Sequence, residues 1–310
     1  MKTKRTLFFL AALALLLICC AALAEAPELY TCGDYQYLLL GDGTAEIMSC
    51  SGGAEALEIP SKLDGYTVTA IGDQAFSYCE ALARVTLPDS VGVINGNPFS
   101  GCPDLTDIRV SPGHPVLAVV DGVLFSVPDQ RLVCYPCAFT AESYAVPQGT
   151  VVIGDGAFRG CQNLISVALP DSVTVIGARA FAGCGSLATA ALPDGITVIG
   201  RRAFYGCESL TDFTLPAGVV SIGDYAFSAC SSLTGIVLPD GVIDIGAFAF
   251  ADCGSLAAVS IPGSVTQIGE EAFSFCFSLK GVTVPRGSYA ERYCQENSLA
   301  CVYAETGGGN

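Results

Sequence analysis

A 23-residue period runs through most of this chain and restricts the folds open to it. Pro147, Pro170, Pro193, Pro216, Pro239, Pro262 and Pro285 recur at that interval, as do Cys161, Cys184, Cys207, Cys230, Cys253 and Cys276. Cys79 and Cys102 keep the same spacing nearer the N-terminus. Phe76, Phe99, Phe158, Phe181, Phe204, Phe227, Phe250 and Phe273 each stand three residues before one of these cysteines. A unit this short cannot enclose a core of its own. Its copies must stack into a solenoid in which each unit buries its neighbours.

Within a unit the pattern divides into three parts. Residues 210–215 alternate like a strand and end at Pro216, which has no N–H to continue a ladder. A second short strand is predicted at 219–222, ending at Gly223. Phe227, Cys230 and Leu233 then place an apolar side chain at every third position, which suits a tight 3₁₀-like turn better than an α-helix. The predicted fold is an α/β-type repeat solenoid, mostly β, of parallel strands and short turns. With strands about 4.8 Å apart, about ten rungs make a rod roughly 45 to 50 Å long.

The repeat Leu-x-x-Val-x-Leu-Pro-x-x-Val-x-x-Ile-Gly-x-x-Ala-Phe-x-x-Cys-x-x-Leu resembles the BspA-like leucine-rich repeat. Leu164, Val167, Leu169, Pro170, Val173, Ile176, Gly177, Ala180, Phe181, Cys184 and Leu187 match it throughout. The resemblance covers residues 35–303. It implies a secreted or surface-displayed protein of the kind that binds host proteins or acts as an adhesin. No catalytic residue and no cofactor is associated with such repeats, so neither is expected here.

The cysteine ladder is expected to be packing material. Stacked residues in adjacent rungs have parallel Cα–Cβ bonds, which keeps their Cβ atoms nearly 5 Å apart, whereas a disulfide needs about 3.8 Å. Buried thiols in apolar surroundings also react slowly. Six cysteines outside the regular ladder are the candidates for disulfides. Cys32 and Cys50 flank a hairpin signal at 37–47 with Gly41-Asp42-Gly43 as its turn, in what looks like an N-terminal cap over residues 25–56. Cys294 and Cys301 lie in a C-terminal cap, residues 286–303. There Ser288 and Glu291 form a capping box for a helix running to Asn297, ahead of a last strand at 299–303. Cys134 and Cys137 have the spacing of a thiol-redox motif but follow a strand-like segment, whereas redox chemistry needs a helix N-terminus beside a βαβ unit. Two packed thiols or a local disulfide is the plainer reading.

The solenoid proper spans residues 57–285 and breaks its period once. Cys102 and Cys161 are 59 residues apart, thirteen more than two repeats. The surplus falls in an insertion at about 111–140, expected as a hairpin around the turn at 127–130. Insertions on solenoids often map to binding faces, so His114 and Asp121 within it join the candidate contact residues. The others are chosen from the outward positions of the first strand: Arg84, Thr86, Asp107, Arg109, Asp212, Thr214 and Lys280. The remainder of that face is small and weakly polar, which fits avidity-driven contact better than a tight interface.

The ends and the charge narrow the setting. Lys2, Lys4 and Arg5, an apolar run at 7–22 and the small-x-small step Ala22-Leu23-Ala24 predict a secretory signal at 1–24. The same run is long enough to serve as an uncleaved anchor. Residues 304–310 read as a disordered glycine-rich tail. The net charge of −16 becomes more negative still once the three N-terminal cations are removed, which disfavours nucleic acid and anionic membranes as partners. With one histidine, the chain lacks the makings of a His-based metal cluster or a Ser-His-Asp triad. The expected function is a monomeric, non-catalytic binder of an extracellular protein or glycan. The alternatives are a structural spacer of an extracellular layer and, last, a thiol oxidoreductase working through Cys134 and Cys137.

Overall fold

A computed structural model describes residues 28–303 apart from residue 212. The predicted signal segment, the predicted tail and Asp212 lie outside the described residues. Each repeat makes one rung, and the rungs hydrogen-bond in parallel with a 23-residue offset. Val167 of the strand Ser166–Ala168 stands between Tyr144 of Ser143–Ala145 and Ala190 of Thr189–Ala191. The second strands, Val152–Ile153, Val175–Ile176, Val198–Ile199, Ser221–Ile222, Asp244–Ile245 and Gln267–Ile268, continue one nine-stranded sheet. The glycine after each second strand is needed because the neighbouring rung's backbone comes close. A Cβ on Gly200 would lie 2.8 Å from the Ile176 carbonyl oxygen, and one on Gly223 2.8 Å from the Arg201 nitrogen.

The third side of each rung is not the 3₁₀-like segment that the spacing predicts. It is a run of separate β-turns closed by bonds such as Ala226 N–H to Gly223 C=O (3.2 Å) and Cys230 N–H to Phe227 C=O (3.2 Å). The third residue of each of these two turns, Tyr225 or Ala229, is left-handed, with φ of 57° and 61°. That is the type II signature, and a left-handed residue stops a helix from propagating. Alternate N–H groups then point along the rod: Tyr225, Phe227 and Ala229 donate to the carbonyls of Ala247, Ala249 and Ala251 at 2.7 to 2.9 Å. Gly160, Gly183 and Gly206 fill the Ala229 position in earlier rungs. Ala229→Gly is therefore expected to raise the unfolding free energy by about 0.5 to 1 kcal/mol, relief of left-handed strain outweighing the added chain entropy. A urea titration measures it.

The rung at 210–215 also departs from expectation. Its described residues are not in a strand, although Phe213 is buried. Neighbouring rungs hold Ala190 and Ile236 at this position, while the Phe213 ring stands edge-on to Phe204 and Phe227 with centroids 5.0 Å away. Shallow clefts lined by Thr214 open on both sides of this rung.

The interior repeats with the sequence. Phe158, Phe181, Phe204, Phe227, Phe250 and Phe273 form one stack with centroids 4.9 to 5.4 Å apart. Tyr135 takes the place of phenylalanine in the rung before, 5.2 Å from Phe158. The ladder cysteines lie beside this stack, and each thiol does more than fill space. Cys184 Sγ–H donates to the carbonyl of Phe158 at 3.0 Å, Cys230 to that of Phe204 at 3.2 Å, and Cys253 to that of Phe227 at 3.1 Å.

The insertion is not an appendage. Residues 117–134 form three antiparallel strands, Leu117–Val120, Val123–Ser126 and Arg131–Cys134, where the sequence predicts two. The extra turn is Asp121-Gly122, left-handed at both residues, the type I′ geometry that Asp-Gly favours. The two inner strands are buried on both faces. Leu124, Val133 and Cys134 pack into an N-terminal core with Phe76 and Phe99, whereas Val123, Phe125, Leu132 and Tyr135 pack into a C-terminal core with Phe158 and the rungs beyond it. The insertion is a partition between two apolar interiors.

Both ends are closed. Leu29–Cys32, Tyr35–Leu39 and Ala45–Cys50 make a three-stranded meander whose last strand pairs in parallel with Tyr66–Ile71. At the other end Ser288 caps the helix Tyr289–Glu296, its hydroxyl accepting from Glu291 N–H at 3.1 Å. The strand Cys301–Tyr303 covers Gly281–Val284.

Candidate binding faces

None of the six cysteines named as disulfide candidates is bonded to another in this structure. Cys32 pairs with Tyr35 on one side and Cys50 pairs with Tyr35 on the other, so a whole strand separates them. Two strand spacings are about 10 Å, beyond the reach of a disulfide. Cys134 and Cys137 are separated in another way. Cys134 faces the N-terminal core, while Cys137 packs against the C-terminal one, with its Sγ 3.0 Å from that of Cys161. No helix begins at this pair, and burial pushes the Cys134 thiol far above its ordinary value. Cys294 is buried and pushed up to about 12 by burial, and Cys301 beside it is half-exposed.

The Cys137–Cys161 contact arises from the insertion. Tyr135 and Cys137 are two residues apart where every regular rung has three, which turns the Cys137 sulfur forward toward the next rung, 3.0 Å from the Arg159 carbonyl. The Cys161 hydrogen bond holds Cys137 below the usual thiol range, while burial drives Cys161 well above it. Along the regular ladder burial raises Cys230 to about 12 and Cys276 to about 11. Near neutral pH, iodoacetamide is therefore expected to modify Cys137 before any regular ladder thiol. Cys161→Ser should slow that reaction severalfold, as peptide mapping would show.

The first-strand face brings only some of the candidate residues together. Arg84 and Arg109 both reach Asp107, at 2.8 and 2.7 Å, and this pair of cations holds its carboxyl below the ordinary range. Thr86 is on the same strand as Arg84. Thr214 and Lys280 are exposed but belong to other rungs far along the chain, and Asp121 is exposed at the tip of its turn. His114 is not a surface residue. It is 8% exposed, Nδ1 accepts from Leu117 N–H at 3.1 Å, and Nε2 meets the Pro88 carbonyl at 3.2 Å. Both ring nitrogens are spent on holding the start of the insertion.

Sequence reasoning missed the turn face. Arg179, Arg202, Tyr225 and Phe248 occupy one position in four successive rungs, two residues before the core phenylalanine. The Arg202 guanidinium lies 4.9 Å over the Tyr225 ring and 6.0 Å from that of Tyr205, and Tyr225 stacks on Phe248 at 4.8 Å. One rung earlier Arg159 reaches back to Gln74 (3.1 Å) and to the Tyr78 hydroxyl (2.5 Å). Aligning the repeats on Ala-Phe would have exposed the column.

Parallel rungs, a shared apolar interior and an outward surface that varies from rung to rung define a repeat-solenoid scaffold of the leucine-rich class. The chain belongs to the BspA type leucine rich repeat family, whose model matches residues 50–116, 133–219 and 197–302 in six copies. No curated protein matches it in sequence. Among solved structures it resembles a leucine rich cell surface protein from Faecalibacterium prausnitzii, at 24% identity over 89% of this chain and 98% of that one, with a TM-score of 0.51. A leucine-rich repeat protein from Eubacterium ventriosum is 19% identical over 81% and 95%, with a TM-score of 0.54. The pneumococcal vaccine antigen PcpA is 16% identical over 91% and 100%, with a TM-score of 0.51. At these identities the likeness concerns the fold.

Proposed function

We propose that the protein works outside the cell as a non-catalytic binding protein, adhesin-like, presenting one flank of a rigid rod to an extracellular protein or glycan. The observation that carries this reading is the division of labour within the repeat. Phe, Cys and Leu recur at fixed inward positions, while the outward positions change from rung to rung, from Arg179 to Phe248 on the turn face and from Arg84 to Lys280 on the strand face. Such a frame holds its shape whatever it displays. Support comes from the predicted signal at 1–24 and from the surface protein and vaccine antigen among its structural relatives. No helix among the described residues is long and apolar enough to cross a membrane.

The experiment pairs localisation with binding. Protease treatment of intact producing cells should remove the protein, or it should be in the medium, and purified protein should bind extracellular matrix or mucus saturably at micromolar concentration. Intracellular protection from protease would overturn the reading. Export without saturable binding would favour the spacer instead. Deleting residues 111–140 is not a usable control, because it removes the partition between the two cores.

A further inference from the structure

The strongest unassigned feature is the trough on the turn face. A cleft of about 370 Å³ is lined by Tyr78, Arg159, Arg179, Gly183, Arg202 and Tyr205. Its floor is bare because Gly160 and Gly183 hold the left-handed positions there. The chain has 30 acidic residues against 14 basic, yet ion pairs among the described residues occur only at Arg84, Arg109 and Arg131. Arg159, Arg179 and Arg202 thus have no carboxylate partner there, and Arg202 Nε is buried with no hydrogen-bond acceptor. Asp155 and Asp224 on these turns each accept a backbone N–H, from Ala178 and Ala247 at 2.7 and 2.9 Å, and neither forms an ion pair. Arg179 and Arg202 sit at equivalent positions one rung apart, with backbones about 4.8 Å apart along the rod, so the trough gathers positive charge on one face. Both are held left-handed, with φ of 56°, a conformation that disfavours any residue but glycine, and Gly156 occupies this position in the rung before.

We propose that this trough binds an anionic polysaccharide, with the arginines taking its sulfate or carboxylate groups and Tyr78 and Tyr205 stacking on its sugar rings. The assignment deepens the extracellular-binder reading and rests on it. Arginine forks pair with such anions in two-point contacts, and Tyr78 and Tyr205, 60% and 42% exposed, line the trough with the Arg159 and Arg202 guanidinium groups 5.5 and 6.0 Å from their ring centroids. An extended acidic peptide fits less well. The turn backbones already bond to one another, as Gly160 N–H does to the Ala182 carbonyl and Gly183 N–H to that of Tyr205, so no sheet edge remains for a peptide to join. The overall negative charge does not prevent binding, since at physiological salt charges more than about 8 Å away are largely screened.

Titration calorimetry with dextran sulfate, neutral dextran and poly-L-glutamate tests the assignment. The wild type should bind dextran sulfate, more weakly as salt rises, and leave dextran alone. Arg179→Gln with Arg202→Gln should weaken binding at least tenfold, whereas Lys62→Gln with Arg292→Gln, which removes the same charge elsewhere, should not. Arg179→Gly with Arg202→Gly guards against misfolding, because it should lose binding while keeping or raising the Tm. No binding of dextran sulfate at low salt, undiminished binding by both arginine double variants, or equal affinity for poly-L-glutamate would overturn the proposal. A wild type that binds extracellular matrix but not dextran sulfate would sink this site while leaving the broader function standing.

Discussion

Replacing Phe204 with alanine is expected to lower the unfolding free energy by about 3 to 5 kcal/mol. The ring is fully buried, stacked between Phe181 at 5.2 Å and Phe227 at 5.3 Å, with the edge of Phe213 at 5.0 Å. Burial alone contributes about 2 to 3 kcal/mol. The remainder is the cavity left when three rings lose a neighbour they cannot replace, because the rung spacing is fixed by backbone hydrogen bonds. Tyr205→Ala, at the next residue but on the exposed side, should change stability by no more than about 0.5 kcal/mol. A urea titration of both variants gives the contrast, and equal losses would mean that the phenylalanine column is not the core.

Leu124→Ala and Leu132→Ala are each expected to cost about 2 to 5 kcal/mol, and to loosen opposite halves of the molecule. Both side chains are fully buried on adjacent strands of the partition, but Leu124 belongs to the N-terminal core and Leu132 to the C-terminal one. Hydrogen exchange read by peptide mass should therefore rise around residues 66–94 in the first variant and around 152–181 in the second. A solenoid with one undivided interior would instead show the same exchange pattern in both.

The regular rungs were legible from sequence because the period acts on residues that have little choice. A phenylalanine, a cysteine and two leucines every 23 positions cannot all face water, so the interior follows from spacing. The capping of the last helix by Ser288 was legible for a similar local reason. The partition was misread as an outward hairpin. Its signals were Asp121-Gly122, a strong two-residue turn, and the consecutive apolar run Val123-Leu124-Phe125, which belongs to a strand buried on both faces. The turn column escaped because backbone handedness leaves no mark on apolar spacing. Period three in Phe227, Cys230 and Leu233 fits successive type II turns as well as a 3₁₀ helix. Charge stands out on the strands, where Arg84, Asp107 and Arg109 pair with one another. The unpaired arginines were overlooked because each looks ordinary within its own repeat and stands out only once rungs are stacked.

The closed interior is tested most directly by its sulfurs. Native protein treated with a bulky maleimide and digested should show Cys137 modified, while Cys184, Cys207, Cys230 and Cys253, all fully buried, stay unmodified until denaturant is added. Rapid modification of those four thiols in folded protein would contradict the stacked, closed rungs on which everything above depends.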